Sequence, residues 1–203
     1  YPAIERHGLI SDRRTAALVA ADGTIDWWCL PAYDGDIFFG ALLDWAKGGL
    51  WRLGPAAMLQ GRQSYDDETM VLQTEWHTDE GQLILCDAML WPENQRALEQ
   101  EPCRVIVRSL KCTKGRIRCA LYFRPVFNFT DPKDTTFEEH ASGVSIRKNG
   151  LALRLWCSSK LKREDTGLWC EVDLNEGEEL WAVLEFGSTG HGWTVEAARD
   201  ALA

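Results

Sequence analysis

The stretch from Asp22 to Gly35 reads DGTIDWWCLPAYDG, and its reading decides the fold. Asp22-Gly23 is a tight-turn signal, because both residues tolerate positive φ. The residues after it, Thr24 to Leu30, include the β-branched Thr24 and Ile25 and the aromatic Trp27 and Trp28, which favour a strand. Adjacent Trp27 and Trp28 must then point to opposite faces, so that one indole enters a core and the other does not. Pro31 ends the strand and Gly35 closes the loop behind it.

The same grammar recurs outward along the chain. Leu151, Leu153, Leu155 and Cys157 alternate with Ala152, Arg154 and Trp156. Leu180, Ala182, Leu184 and Phe186 alternate with Trp181, Val183 and Glu185. A period of two gives each run one consistently apolar face. Turn dipeptides separate the runs. Asn149-Gly150 joins Val144–Lys148 to Leu151–Cys157, and Asp79-Glu80-Gly81 joins Met70–His77 to Gln82–Met89. Lys114-Gly115 and Glu176-Gly177 read as two further hairpins, between Val105–Cys112 and Arg116–Phe123 and between Leu168–Leu174 and Glu178–Phe186. Repeated hairpins imply an all-β fold: a large antiparallel two-sheet sandwich with short helices.

Two helical pieces are expected. Ile37 to Trp45 places Ile37, Leu42 and Trp45 along one side. The second follows Thr194 as N-cap, with Glu196 in its first turn and Val195, Ala198 and Leu202 as its apolar stripe. The chain divides on this reading into a sandwich over 1–192 and, over 193–203, the start of a linker helix.

Composition narrows the function. A net charge of −9 over 203 residues repels phosphate backbones, which argues against a nucleic-acid partner. No run is long enough to cross a bilayer, so no membrane partner is expected. The seven cysteines include no C-x-x-C pair, and most lie in apolar runs, as reduced thiols of a cytoplasmic protein would. Four scattered histidines offer no local metal pair, and neither metal nor cofactor is expected. Asn128-Phe129-Thr130 fits a glycosylation pattern by chance. The acidic clusters Asp66–Glu68 and Glu138–Glu139 read as solvated surface. The glycine-rich run from Gly187 to Trp193 lacks the spacing and the lysine of a phosphate-binding loop and reads as a connector.

The ordered motifs resemble one family. GLISDRRTAALVAADGTIDWWCLPAYDGDIFFGALLD, from Gly8 to Asp44, is similar to the opening of bacterial glycoside hydrolase family 15 proteins, the glucoamylase and trehalase-like group. GGLWRL, TMVLQTEWHTDEGQLILCDAM, RVIVRSLKCTKGRIRCALYFRPVFNF and GEELWAVLEFG follow in the family's order, so the resemblance spans nearly the whole chain. It implies an N-terminal β-sandwich, then a linker helix, then an (α/α) barrel that carries catalysis. Such enzymes invert: an acid protonates the glycosidic oxygen while an opposed carboxylate, about 6.5–9.5 Å away, activates water. Both glutamates belong to the barrel, so the resemblance implies no catalytic residue in this chain. RPVFNF departs from the family's R-P-x-F-D-Y-G at Asn128, Phe129 and Thr130, and PAYDGD departs from P-R-F-D-S at Ala32.

The leading expectation is therefore a non-catalytic domain. It docks on its own C-terminal barrel, with oligosaccharide or disaccharide glucosides as the parent's substrates. Asp26, Trp28, Tyr33, Asp34, Phe38, Arg124 and Asn128 are the candidate residues for the domain contact or the substrate rim. Asp26 and Asp34 sit among apolar residues, where burial demands a hydrogen-bonding partner. The alternative is a free-standing carbohydrate-binding module. It would use some of the ten tryptophans, although core packing is the commoner fate of an indole.

Overall fold

The computed structural model describes residues 2–90, 104–131, 133, 135–141, 143–148, 150–187 and 192–202. Among the described residues a 3-10 turn, Ile4–Arg6, precedes fifteen strands and one helix. The strands are β1 (His7–Ser11), β2 (Ala16–Ala20), β3 (Thr24–Leu30), β4 (Asp36–Phe39), β5 (Leu50–Pro55), β6 (Arg62–Tyr65), β7 (Leu72–Thr78) and β8 (Gly81–Met89). After them come β9 (Arg104–Arg124), β10 (Thr136–His140), β11 (Gly143–Lys148), β12 (Leu151–Cys157), β13 (Lys162–Glu164), β14 (Gly167–Asn175) and β15 (Glu179–Phe186). The helix is α1 (Val195–Leu202).

All pairings among the described strands are antiparallel, and they form two layers joined through β9. One layer runs β1-β2-β3-β5, then the C-terminal half of β9, then β14 and β13, with β4 against β3. The other runs β6-β7-β8, then the N-terminal half of β9, then β15, β12, β11 and β10. The expected sandwich is present, and the Asp22-Gly23 and Gly150 turns close hairpins as read, with φ of 81° and 83° at the glycines. Asn149 itself lies outside the described residues.

Two expected hairpins are corners instead. Lys114-Gly115 does not reverse the chain; it lies inside the 21-residue β9. Glu176-Gly177 does not fold β14 onto β15. β15 pairs with β9 up to Lys111↔Glu179, and β14 resumes the pairing at Arg116↔Asn175. Two segments thus turn the same corner side by side, from one layer into the other. Bonds across the corner hold them, Cys112 N–H to Glu178 O at 3.0 Å and Gly177 N–H to Cys112 O at 2.8 Å. A glycine with φ near +80° serves a bend or bulge as well as a reversal, so the dipeptide alone does not distinguish them.

The helix expected over Ile37–Trp45 is absent. Ile37, Phe38 and Phe39 belong to β4, and residues 40–48 form successive turns. Phe38 and Phe39 pack against Trp28 with ring centroids 5.9 and 6.0 Å away, and this aromatic contact overrides the weak helical period. Gly40 and Ala41 both donate to Gly49 O, which closes the loop.

The inward faces of the two layers share one core. Trp28, Trp51, Leu53, Leu121 and Phe123 meet Leu72, Leu85, Leu110, Leu155 and Leu184, all nearly inaccessible. A smaller cluster lies on the outer face of the second layer: Val107, Trp181 and Val183 pack under Ala198 of α1. Thr194 caps this helix as expected, its Oγ1 accepting the Ala197 N–H at 3.2 Å. Val195 and Leu202 of the expected stripe pack against the same cluster.

Candidate functional site

Three turns converge at one end of the first layer. The β1–β2 turn is organised by Asp12, whose Oδ1 accepts the N–H groups of Arg14 (2.9 Å) and Thr15 (2.8 Å). This is an Asx-type turn. The other oxygen, Oδ2, faces Arg104 Nε at 3.0 Å, and both residues are buried. Arg104 Nε also donates to Pro31 O at 3.1 Å. The first residue of β9 thus ties the β1–β2 turn to the loop after β3. The Leu30-Pro31 peptide bond is cis. Gly35 closes that loop by donating to Ala32 O, and a Cβ at position 35 would stand 2.2 Å from Leu30 O.

Tyr33 is held by its main chain and by its tip. Its N–H donates to Arg14 O at 3.0 Å, and its hydroxyl meets Ser11 Oγ at 2.9 Å. The residue nevertheless remains 58% exposed. Asp34, Arg13 and Arg14 are exposed beside it. The result is a fixed rim carrying one aromatic ring and charges of both signs.

Asn128 pins the other side of this end. Its Oδ1 accepts Ile37 N–H (2.8 Å), its Nδ2 donates to Asp36 Oδ1 (2.7 Å), and its N–H donates to Ile37 O (2.8 Å). An amide can donate and accept at once, which an ionised aspartate cannot. Asparagine also suits the left-handed backbone found here, with φ of 47°. The departure from the family pattern at this position therefore has a local structural use. Arg124 reaches the other way, donating through Nη2 to Trp45 O (2.6 Å) and Gly48 O (2.8 Å), and so fixes the loop over residues 40–48.

The remaining candidates serve the interior. Trp28 and Phe38 are 0% and 1% exposed. As core residues they leave no surface for a neighbouring body, and it is Trp27 that is half-buried on the outer face. Asp26 is fully buried, as its apolar neighbours suggested, and its Oδ2 lies 3.0 Å from His7 Nε2. His7 Nδ1 faces Ala3 O at 3.1 Å, which requires a proton on Nδ1. The contact with Asp26 then needs one more proton, shared between the two side chains. Burial pushes the Asp26 carboxyl up, and the His7 hydrogen bond pulls it down less strongly. Neither side chain reaches solvent, so this pair cannot act on a substrate.

The structure thus brings Tyr33 and Asp34 together at the rim, places Asn128 and Arg124 as fasteners behind it, and separates Asp26, Trp28 and Phe38 from it. Asp12 and Arg104, which build the rim from beneath, escaped the sequence reading. The spacing Asp12-x-x-Thr15 is a detectable Asx-turn signal, whereas nothing local marks Arg104 as its partner. Among the described residues, no group of three or more His, Cys, Asp or Glu side chains is arranged to hold a metal. No described helix is long and apolar enough to cross a membrane.

Residues 1–157 match the family model described as trehalase-like, N-terminal. The chain belongs to this family. Its relatives include a trehalase of Mycolicibacterium smegmatis, 24% identical over 221 residues that cover 100% of this chain and 33% of the relative. A trehalase of Thermoplasma volcanium is 27% identical over 92% of the chain and 30% of the relative. Trehalase 2 of Sulfolobus acidocaldarius is 35% identical over 40% of the chain and 14% of its own length. The trehalase-like N-terminal chain described here therefore spans about a third of the longer of these alignments' partners.

Proposed function

We propose that this chain is the non-catalytic N-terminal domain of an inverting family 15 glycoside hydrolase of the trehalase type, acting in the cytoplasm. It docks on the (α/α) barrel that follows it, stabilises that barrel, and contributes the Tyr33 rim to the domain contact. The observation that carries this reading is the family match, made over one third of relatives named trehalases. The rim's construction supports it. Two buried side chains, Asp12 and Arg104, fix a loop whose exposed product is a tyrosine and an aspartate, which internal packing alone would not require. Six described cysteines are unpaired, which suits a reducing compartment.

The test is to express the parent gene with and without residues 1–203, and with Tyr33→Ala and Asp34→Ala together. Loss of barrel stability and of trehalose hydrolysis without the domain supports the reading. A partial loss in the double variant locates the contact. A barrel that folds and cleaves trehalose equally well alone refutes the reading.

A further inference from the structure

Two cysteines meet between the layers. Cys157 ends β12, in the second layer, where it pairs with Ala182 of β15. Cys170 lies in β14, in the first layer, opposite Leu121 of β9. Cys170 is buried in the shared core, and Cys157 packs against that same core. Their side chains are hydrogen-bonded to each other, and both thiols are free. The pair is a dithiol whose two sulfurs already touch across the layers.

The loop after β12 holds the pair in place. Ser158 N–H donates to Trp181 O at 2.9 Å, and Ser158 Oγ accepts Trp181 N–H at 3.0 Å. The next residue, Ser159, reaches both sulfurs: its N–H donates to Cys157 and its hydroxyl to Cys170. Leu121 N–H also donates to Cys170. These donors favour a negative charge on Cys170. The Cys157 S–H, above all, holds Cys170 below the ordinary thiol value, and the same bond, together with burial, holds Cys157 above it. Cys29, Cys86 and Cys119 have no such support, and burial pushes all three up. A thiolate, not a thiol, is the nucleophile, so this support bears on reactivity.

The pair can be reached from outside. A cavity of about 310 Å³ has Cys157, Trp156, Ser159, Lys160 and His140 in its lining. Cys157 is half-buried there, whereas Cys170 is 2% exposed. A reagent entering this cavity meets Cys157 first, with Cys170 in contact on its inner side. That is the arrangement of an attacking thiol backed by a resolving one.

We propose that Cys157 and Cys170 form a peroxide-sensitive modification site, at which a hydroperoxide converts the two thiols into a disulfide that staples the second layer to the first. The proton shared by the ionised pair moves from Cys157 to Cys170, and the Cys157 thiolate attacks one oxygen of hydrogen peroxide. An S–O bond forms and the O–O bond breaks. Hydroxide leaves with that electron pair and takes back the proton the dithiol had released. The Cys170 sulfur then attacks the sulfenic sulfur of Cys157. The S–S bond forms, the S–O bond breaks, and the second hydroxide leaves as water with the Cys170 proton. Two thiols give up two electrons, the peroxide takes them, and two waters form. The site stands independently of the function proposed above.

The test is to treat the folded chain with hydrogen peroxide, block the remaining thiols in denaturant, digest without reduction and map the peptides by mass spectrometry. The expected product is a peptide pair joined through Cys157 and Cys170, lighter by two hydrogens and separated again by dithiothreitol. It forms at least about tenfold faster than Cys29, Cys86 or Cys119 is oxidised. The oxidised chain unfolds about 5–10 °C higher than the reduced one, because the bond constrains the unfolded chain. In Cys170→Ser the Cys157 sulfenic acid persists and is trapped by dimedone. In Cys157→Ser oxidation of Cys170 slows at least about tenfold. The measurements on the unsubstituted chain decide the matter even if a variant fails to fold. Three outcomes overturn the proposal: peroxide oxidises other thiols of the folded chain but leaves this pair reduced, the joined peptides appear only when the chain is oxidised in urea, or the oxidised chain unfolds at the same or a lower temperature.

Discussion

Arg108 and Asp87 meet head-on between the two layers, with Nε to Oδ1 at 2.7 Å and Nη2 to Oδ2 at 3.1 Å, both residues without solvent exposure. The same guanidinium crosses to the opposite layer, where it donates to Trp51 O and Gly23 O at 2.8 Å each and lies 4.9 Å from the centre of the Trp51 ring. A charge pair in the core is thus also the polar fastening between the layers. Removing one partner strands a buried charge. Asp87→Ala and Arg108→Met are each expected to cost about 3–5 kcal/mol. The double substitution costs less than the sum, because no charge is left unpaired. Urea unfolding of the four proteins measures the coupling.

The corner glycines differ in a testable way. A Cβ on Gly115 (φ +76°) would stand 2.2 Å from Glu80 O, whereas one on Gly177 (φ +86°) would meet nothing within 4 Å. Gly177→Ala carries only the left-handed backbone cost, about 1 kcal/mol. Gly115→Ala adds a backbone clash and is expected to cost about 2–3 kcal/mol. Thermal unfolding of the two variants side by side separates them.

Helix α1 is tied to β15 by the Glu179 carboxylate, and acid loosens the tie. Burial pushes Glu179 up, but hydrogen bonds from Arg199 and Trp181, both 2.9 Å, together with the nearby positive charges, pull it below its ordinary 4.5. A depressed folded-state value means that this stabilisation is complete above 4.5 and disappears as pH falls through the lowered value. The protection of α1 amides, taken relative to their intrinsic exchange rate at each pH, is expected to fall as pH drops below 4.5 through that lowered value. In Glu179→Gln that change is smaller, and what remains comes from Glu196, which hydrogen bonds at the start of the helix also hold below its ordinary value.

Two thiols are expected to resist alkylation. Burial first, then the Asp87 charge, pushes Cys86 up to about 11, and burial pushes Cys119 up to about 12. At pH 8 the native Cys86 should react about a hundredfold more slowly than an unperturbed thiol, because only the thiolate attacks. Cys119, fully inaccessible, should react only after unfolding. Mass spectrometry after timed iodoacetamide treatment reads both.

How far the sequence foretells this molecule depends on whether the deciding interaction is local. The strand from Leu151 to Cys157 and its turn at Gly150 are written in adjacent residues, and they are legible. The corner at Gly115 looks like a hairpin because its glycine is the same glycine a reversal would use; only pairing with β14 and β15, more than fifty residues away, tells them apart. The segment from Ile37 to Trp45 fails likewise, since Phe38 and Phe39 follow Trp28 and Phe123 rather than their own neighbours. At the rim, Tyr33 and Asp34 could be picked out as unusual beside a proline and a glycine. Burial of Trp28 rather than Trp27 is a choice of face that alternation leaves open. Arg104 could not be found, because its two partners, Asp12 and Pro31, lie over seventy residues upstream.

Strand β9 belongs to both layers, and α1 rests on the half of it that lies in the second. Mechanical load entering through that helix is consequently carried along one unbroken backbone into every part of the body. The molecule should yield to force or heat in a single event, with no stage at which one layer has melted while its twin survives.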